Sequence, residues 1–369
     1  MEKTLVITIP TYNRKKFLVR LLGQLRMELS GIEDRVSVCI LDNASVDDTY
    51  NSVNNFESKY ELKYIRNEKN IGYDANVAKS ILESDGRYVW LMGDDDLFIK
   101  GRIKEVLKFV EKIDSEIGGI FTNYYRYGTM VGLPLKTDNA KIYLEGEYDD
   151  DFYTSVYGSN FIGCAILNRK ICEEVIDRNL EYSEQGVIKK NLDRNRVILR
   201  EFIQQYLSFE CIGKSKKFAI FPRPCTQYVG DGAYSSMERM LSSGRIMVER
   251  LEEFERYYPN IFKYSACPFL NNNPKGLIQT AVLFDPEMNN EHKEIYYESV
   301  GAMIAYYNRH KDAWGGVYSM FFWMHRNVLF FDKMVWHTYR IVIHMLGRKT
   351  YREREDDKKN KTKVRKTEF

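Results

Sequence analysis

Histidine is missing from the first 291 residues; all five (His292, His310, His325, His337 and His344) lie in the last quarter of the 369-residue chain. Chemistry in the larger part must manage without imidazole as base or metal ligand, which leaves carboxylates as the candidates. Cysteine is sparse as well. Its six copies (Cys39, Cys164, Cys172, Cys211, Cys225 and Cys267) form no CxxC pair and no zinc spacing. They read as reduced core thiols of a cytosolic protein. No run of about 18 uncharged apolar residues occurs, so no membrane span is expected. The opening MEKTLVITIPTYNR holds too short an apolar run for a secretory signal. Net charge is only +3 and is unevenly placed: from Gly347 onward ten Lys/Arg face five Asp/Glu, which leaves about −2 on the preceding 346 residues. A body of that charge argues against a nucleic-acid partner.

The composition that is present, 44% hydrophobic and 29% charged, is that of a protein with a real core, in one large domain or two ordinary ones. Apolar runs at 5–9, 36–41, 62–65 and 88–91 read as strands, the first stopped by Pro10. Helical spacing separates them, beginning with Phe17, Leu18, Leu21, Leu22 and Leu25 on one face, and a further helix is expected over 100–113. Strand and helix alternating in this way predict an α/β fold, a mostly parallel sheet with helices on both faces. The polar residues fall just after the strands: Thr11 to Arg14, Asp42 to Ser45, Asn67 to Gly72, and Asp94 to Asp96. In an open α/β sheet that edge is the ligand crevice.

The stretch with the clearest chemistry runs from Tyr88 to Asp96: a buried strand, a glycine turn, then three adjacent aspartates. At a surface-like dielectric two such charges ~4 Å apart repel by roughly 4 kcal/mol. Something positive is expected beside them, and an oxygen-only site suits Mg²⁺ or Mn²⁺. A solvated acidic turn is the plainer alternative. Thr11 and Asn13 could equally be turn-formers and Asp42 an Asx-turn residue, while Asp47 and Asp48 read as a helix start.

Taken together, residues 8–14 (TIPTYNR), 41–49 (LDNASVDDT), 70–76 (NIGYDAN) and 90–96 (WLMGDDD) resemble the successive motifs of family 2 glycosyltransferases with the GT-A fold. The last two are most similar to the abequosyltransferase-like branch of bacterial surface-polysaccharide synthesis. The resemblance covers residues 3–115. It implies an inverting sugar transfer from a nucleotide sugar, UDP-linked by first preference, with Mn²⁺ or Mg²⁺ on the diphosphate. Carried over position by position, Thr11, Tyr12, Asn13 and Arg14 line the nucleotide pocket. Asp42 with Asn43 meets the base edge, Asn70 and Asp74 lie near base and ribose, and Asp94 approaches the ribose. Asp95 ligates the metal, and Asp96 either completes its shell or holds the loop.

An inverting transfer needs a general base for the acceptor hydroxyl. The family places one in a Glu-Asp pair opening a helix; here the matching stretch has Glu201 followed by Phe202, a departure that puts the base in doubt. Glu201 is the first candidate and Asp231, in a Gly-Asp-Gly loop, the second, with Glu184 and Asp193 behind them. Residues 157–165 stand where such enzymes shape the sugar pocket.

The expected organisation is a GT-A domain over 1–235, with a nucleotide half to 120 and an acceptor half from 121. A helical region over 236–346 and a basic disordered tail over 347–369 follow. Aromatic residues interspersed with Lys/Arg across 317–346 suit either a membrane interface or a contact between two copies. By analogy the acceptor is a glycan or polyprenyl-linked glycan, which favours the cytosolic membrane surface. Two rivals stand beside this reading. A sugar nucleotidyltransferase would open with a Gly-rich basic loop that residues 10–14 lack; a catalytically silent nucleotide-sugar binder is kept alive by Phe202.

Overall fold

Strands that are buried along nearly their whole length demand cover on both faces, and the chain supplies it with amphipathic helices from alternate connections. The computed structural model describes residues 3–126, 130–158, 161–176, 188–191, 196–198, 203–229, 237–262 and 290–310, with positions 319, 320, 323, 337 and 345. In order come β1 (Leu5–Thr11), α1 (Lys15–Glu28), β2 (Val36–Asp42), α2 (Thr49–Asn54), β3 (Glu61–Arg66), α3 (Tyr73–Leu82) and β4 (Tyr88–Leu91). Next are β5 (Leu97–Phe98), α4 (Arg102–Val110), β6 (Gly119–Arg126), β7 (Met130–Val131), β8 (Lys141–Tyr143), α5 (Asp150–Gly158), β9 (Ala165–Asn168) and α6 (Arg169–Val175). A separate hairpin, β10 (Ile188–Asn191) with β11 (Arg196–Ile198), precedes α7 (Ile203–Ser215), β12 (Phe218–Tyr228) and α8 (Met237–Tyr257).

The main sheet has ten strands in the order β3-β2-β1-β4-β9-β6-β12-β5, with β7 on β6 and β8 on β12. β3, β2, β1 and β4 run parallel. β9 is antiparallel to both β4 and β6, so β6 and its parallel neighbour β12 point the same way as β4. Six strands therefore share a direction, and the expected mostly parallel α/β sheet is what forms. The short antiparallel β9 in its middle is the part that strand-helix alternation did not announce.

Alternate residues of the strands face opposite layers. Leu5, Ile7, Ile9, Val36, Val38, Ile40, Tyr88 and Trp90 join one buried cluster with Leu18, Leu21, Leu22 and Leu25 of α1 and Ile103, Val106, Leu107 and Val110 of α4. Each fully buried leucine there contributes about 1.5–3 kcal/mol. On the other layer α3 packs against β1 and β2, and α7 against β6 and β9. One boundary differs from expectation: β1 continues through Pro10 to Thr11, opposite Asp42. Met92 N donates to Thr8 O and Asn43 N to Thr11 O, so even positions of β1 bond toward β4 and odd ones toward β2. Pro10 lacks its donor on the β4 side, where that strand has already turned away.

By contact the chain divides into two units: Met1–Ala233 with Glu253–Pro268, and Tyr234–Glu252 with Phe269–Phe369. The first holds the sheet, and in it Phe254 and Phe262 close a buried aromatic group with Phe209 of α7 at 5.1 and 4.8 Å between ring centres. Within the second, Arg245 of α8 pairs with Glu298 of the helix Asn290–Arg309 at 2.6 Å, and Arg309 pairs with Glu252. Among the described residues no helix is long and apolar enough to cross a membrane. Most of the expected helical stretch beyond 310 and the tail over 347–369 lie outside the described residues.

Candidate active site

The carboxyl ends of the parallel strands bring all four polar loops to one edge. Register fixes the alignment: Thr11 sits opposite Asp42, and Asp42 opposite Arg66. Two residues in these loops take a left-handed backbone, Asn13 at φ 55° and Ala44 at φ 64°. Asparagine tolerates that conformation; alanine does so at a cost of about 1–2 kcal/mol. The loops are laced to each other, with Asn13 N donating to Ser45 Oγ at 2.8 Å and Val46 N to Asn13 Oδ1 at 2.7 Å. Asp47 and Asp48 do open α2, and both reach α1: Lys15 N donates to Asp47 at 3.1 Å and Lys15 Nζ to Asp48 at 2.6 Å.

The acidic turn after β4 is compensated within the chain. Thr11 Oγ1 donates to Asp94 Oδ2 at 2.7 Å. Arg14 spans two carboxylates: Nε lies 3.0 Å from Asp94 Oδ1 and Nη2 lies 2.6 Å from Asp95 Oδ2. Arg20 Nη2 caps the Asp95 carbonyl at 2.5 Å. The Arg14 guanidinium rests 4.8 Å over the Phe17 ring. The positive partner that three adjacent aspartates require is thus arginine from the start of α1, and repulsion in the triplet does not by itself demand a metal. Asp96 is buried and accepts from Val229 N at 3.0 Å, tying the turn to the end of β12. Gly93 makes the turn fit, since a Cβ there would lie 2.8 Å from Asp96 Oδ2.

Asp95 is the more open of the three, its side chain 19% exposed, and its Oδ1 accepts no hydrogen bond among the described residues. One carboxylate with an oxygen to spare fits Mg²⁺ or Mn²⁺, which keep several waters and take one or two protein carboxylates beside a phosphate. No group of three His, Cys, Asp or Glu side chains forms a metal cluster among the described residues.

At the other end of the crevice an amide network lies beside two buried carboxylates, Asp42 and Asp74. Asn43 donates to Asn70 Oδ1 at 2.8 Å and accepts from Asn67 Nδ2 and Ile71 N. Asn67 also donates to Asn76 Oδ1 and accepts from Lys79 Nζ, while Asn76 donates to Leu41 O at 3.0 Å. Gly72, at φ 86° and ψ 164°, gives the chain a turn that only glycine adopts readily before α3. Asp42 is fully buried between Ser45 N at 2.9 Å and the Tyr64 hydroxyl at 2.6 Å, with Arg66 Nε 3.8 Å away. Burial first, and then the bond to Asp42, pushes the Tyr64 hydroxyl well above its ordinary pKa, so it stays a donor. Asp74, also buried, reaches 129 positions along the chain: its Oδ1 accepts from Ile203 N at 3.3 Å, at the first turn of α7.

Behind the acidic turn, Trp90 Nε1 and Thr226 Oγ1 both donate to Gly163 O, at 2.9 and 3.3 Å. Phe161 stands 4.4 Å from Tyr124 and 6.0 Å from Tyr228 between ring centres. The structure therefore gathers Thr11, Asn13, Arg14, Asp42, Asn43, Asn70, Asp94, Asp95 and Asp96 at one edge, with Tyr12 partly exposed in the first loop. The base candidates Glu201 and Asp231, with Glu184 and Asp193, lie outside the described residues. Sequence reasoning passed over Arg20, Tyr64 and Thr226, and it gave Asn67 and Asn76 no role of their own although both lie in stretches it singled out. Tyr64 had one usable signal, its place two residues before the end of a strand that borders Asp42.

An α/β sheet of this order with polar loops at one edge is a GT-A-type fold. Residues 6–176, just under half of the chain, match the model of glycosyl transferase family 2. Abequosyltransferase RfbV of Salmonella typhimurium is 37% identical over 94 residues, 25% of this chain and 28% of that protein. Poly(ribitol-phosphate) beta-N-acetylglucosaminyltransferase TarS of Staphylococcus aureus is 27% identical over 114 residues, 30% of this chain and 19% of its own length. The chain thus spans less than a third of either curated relative. In fold it is similar to the crystal structure of S. aureus TarS 1-349, with a TM-score of 0.57, 13% identity and 91% of each chain covered. TarS 1-349 in complex with UDP-GlcNAc also gives 0.57, at 14% identity, covering 94% of this chain and 92% of that one.

Proposed function

We propose that this protein is a metal-dependent, inverting glycosyltransferase that moves a sugar from a nucleoside diphosphate, UDP first, to a glycan or polyprenyl-linked acceptor in bacterial surface-polysaccharide synthesis. The observation that carries the reading is the meeting of four polar loops at the sheet edge around Asp95, whose second oxygen is open to a ligand. Its relatives support it: an abequosyltransferase and TarS by sequence, and a fold neighbour whose crystal holds UDP-GlcNAc.

In this reading Asp95 would hold Mn²⁺ or Mg²⁺. Such a cation, when bound, offsets the negative charge that grows on the diphosphate as the glycosidic bond breaks. Thr11 fixes Asp94, and Tyr12, Asn13 and Arg14 face the nucleotide. The Asn43–Asn70 pair shapes the pocket floor, and buried Asp42 stiffens the loop that bears it. Phe161, Tyr124 and Tyr228 offer an aromatic wall for a sugar ring. Attack by the acceptor requires a base from Glu201 or Asp231. Exposed Met320 and Trp323 fit docking at a membrane's cytosolic surface, with a second copy of the chain as the other occupant.

Calorimetric titration with UDP-, CDP-, GDP- and dTDP-sugars, with and without Mn²⁺, tests the donor. Metal-dependent binding of one of them is expected; binding of none removes the reading. Phe202 at the expected base position favours one rival, a silent binder. Donor turnover by the wild type against polyprenyl-linked acceptors, lost in Glu201→Gln, would exclude it.

A further inference from the structure

The geometry points to Arg14 as a residue that competes with the divalent cation for Asp95, and that turns to the donor's diphosphate once the carboxylate is taken. This rests on the donor reading above and adds an antagonism between two parts of the same site.

Arg14 is built into the turn rather than draped over it. Its side chain is 7% exposed, and its guanidinium is sandwiched between the Phe17 ring and the carboxylates. Nη2 makes a short, charge-assisted hydrogen bond to Asp95 Oδ2 at 2.6 Å. Nε, although 3.0 Å from Asp94 Oδ1, is off the line of a hydrogen bond, so that contact is ionic only. The Asp95 bond is therefore the directional one, and it falls on the carboxylate that is best exposed. Asp94 keeps the Thr11 hydroxyl as a partner in either state. Asp96 stays tied to Val229. Asp95 is the member of the triplet whose partner can be exchanged.

Charge makes the exchange conditional. Among the described residues, Arg14 faces the carboxylates of Asp94 and Asp95, and Arg20 bonds the Asp95 carbonyl, so carboxylates outnumber the cations that touch the turn. A dication entering beside a guanidinium 2.6 Å from the same carboxylate meets like-charge repulsion, which weakens metal binding in the absence of nucleotide. A diphosphate reverses the balance. It supplies two or more negative charges and pairs of oxygens that a planar guanidinium grips with two parallel bonds. Metal and diphosphate then each raise the other's affinity, as linkage requires. The arginine acts as a stand-in for the metal when the site is empty and as a phosphate ligand when it is full.

Binding rather than turnover tests this. Mn²⁺ alone, UDP alone and Mn²⁺ with UDP are titrated calorimetrically into wild type, Arg14→Gln and Asp95→Asn. Arg14→Gln should bind Mn²⁺ alone on the order of tenfold tighter than wild type, and Mn²⁺–UDP on the order of tenfold weaker. Asp95→Asn should lose the Mn²⁺ signal. Equal Mn²⁺ affinity in wild type and Arg14→Gln, with Mn²⁺–UDP still bound by wild type, overturns the competition and leaves the donor reading standing. No Mn²⁺–UDP binding by wild type overturns the donor reading itself. Should Arg14→Gln fail to fold, NMR of the wild-type arginine Nε–H groups decides. Mg²⁺ without nucleotide should shift one resonance, identified by its absence in Arg14→Lys. An unmoved resonance at saturating Mg²⁺ overturns the proposal.

Discussion

The two ends of the crevice are built from opposite materials. Around Asp94–Asp96 the loops are joined by full charges: three carboxylates, Arg14 and Arg20. Around Asn43, Asn67, Asn70 and Asn76 they are joined mainly by neutral amides, with Lys79 and the buried Asp42 carboxylate at the border. Charged partners can be exchanged for a cation or a phosphate, because either supplies the charge that the carboxylates or the guanidinium lose. Amide pairs are directional and satisfied, so they set shape and resist exchange. The charged end is suited to ligand chemistry and the amide end to holding the pocket floor still.

Changes at the charged end should strike activity, and changes at the amide end stability. Asp95→Asn is expected to reduce sugar transfer on the order of 10²-fold or more with the melting temperature nearly unchanged; activity within threefold of wild type would dissolve the distinction. Asn76→Leu strands Asn67 and the Leu41 carbonyl, and should cost about 2–4 kcal/mol in urea unfolding, with donor affinity per folded molecule little altered. Tyr64→Phe removes a hydroxyl from a buried carboxylate and should cost about 1.5–3 kcal/mol by the same measurement.

Acid provides a subtler separation. Burial raises the Asp47 carboxyl, but hydrogen bonds from Thr49 and Lys15 more than offset it, and Asp48 is lowered by its bond to Lys15; both end below the ordinary value of 3.8. A lowered folded pKa gives stability that is present above the unfolded value and lost as pH falls through the folded one. The urea midpoint should therefore drop between pH 5 and pH 2, and less so in Asp47→Asn. The smallest effect expected is none: Cys39, pushed up to about 11 by burial, and the equally buried Cys164, Cys172, Cys211 and Cys225 should not react with a thiol reagent in the native protein at pH 7.5.

The arrangement of the nucleotide half was legible because it is local. Strand lengths, α1's leucine face and the polar residue after each strand are all written within a dozen positions of one another. What escaped is long-range. Arg14 as counter-ion to a turn 80 residues away, β9 slipping antiparallel between β4 and β6, and Asp74 meeting α7 depend on contacts that periodicity cannot encode. Pro10 misled for a different reason. A proline stops a strand when its absent donor faces a partner, and only the register shows that here it faces none.

Gly93 carries a practical consequence for anyone who would retool this pocket to take other donors. The smallest enlargement there, a single methyl group, pushes on a carboxylate whose other oxygen anchors the far strand of the sheet. A randomised library would find that position frozen. In the first and second loops, partly exposed Tyr12 and exposed Val46, neither held in a left-handed backbone, are where new selectivity can be sought.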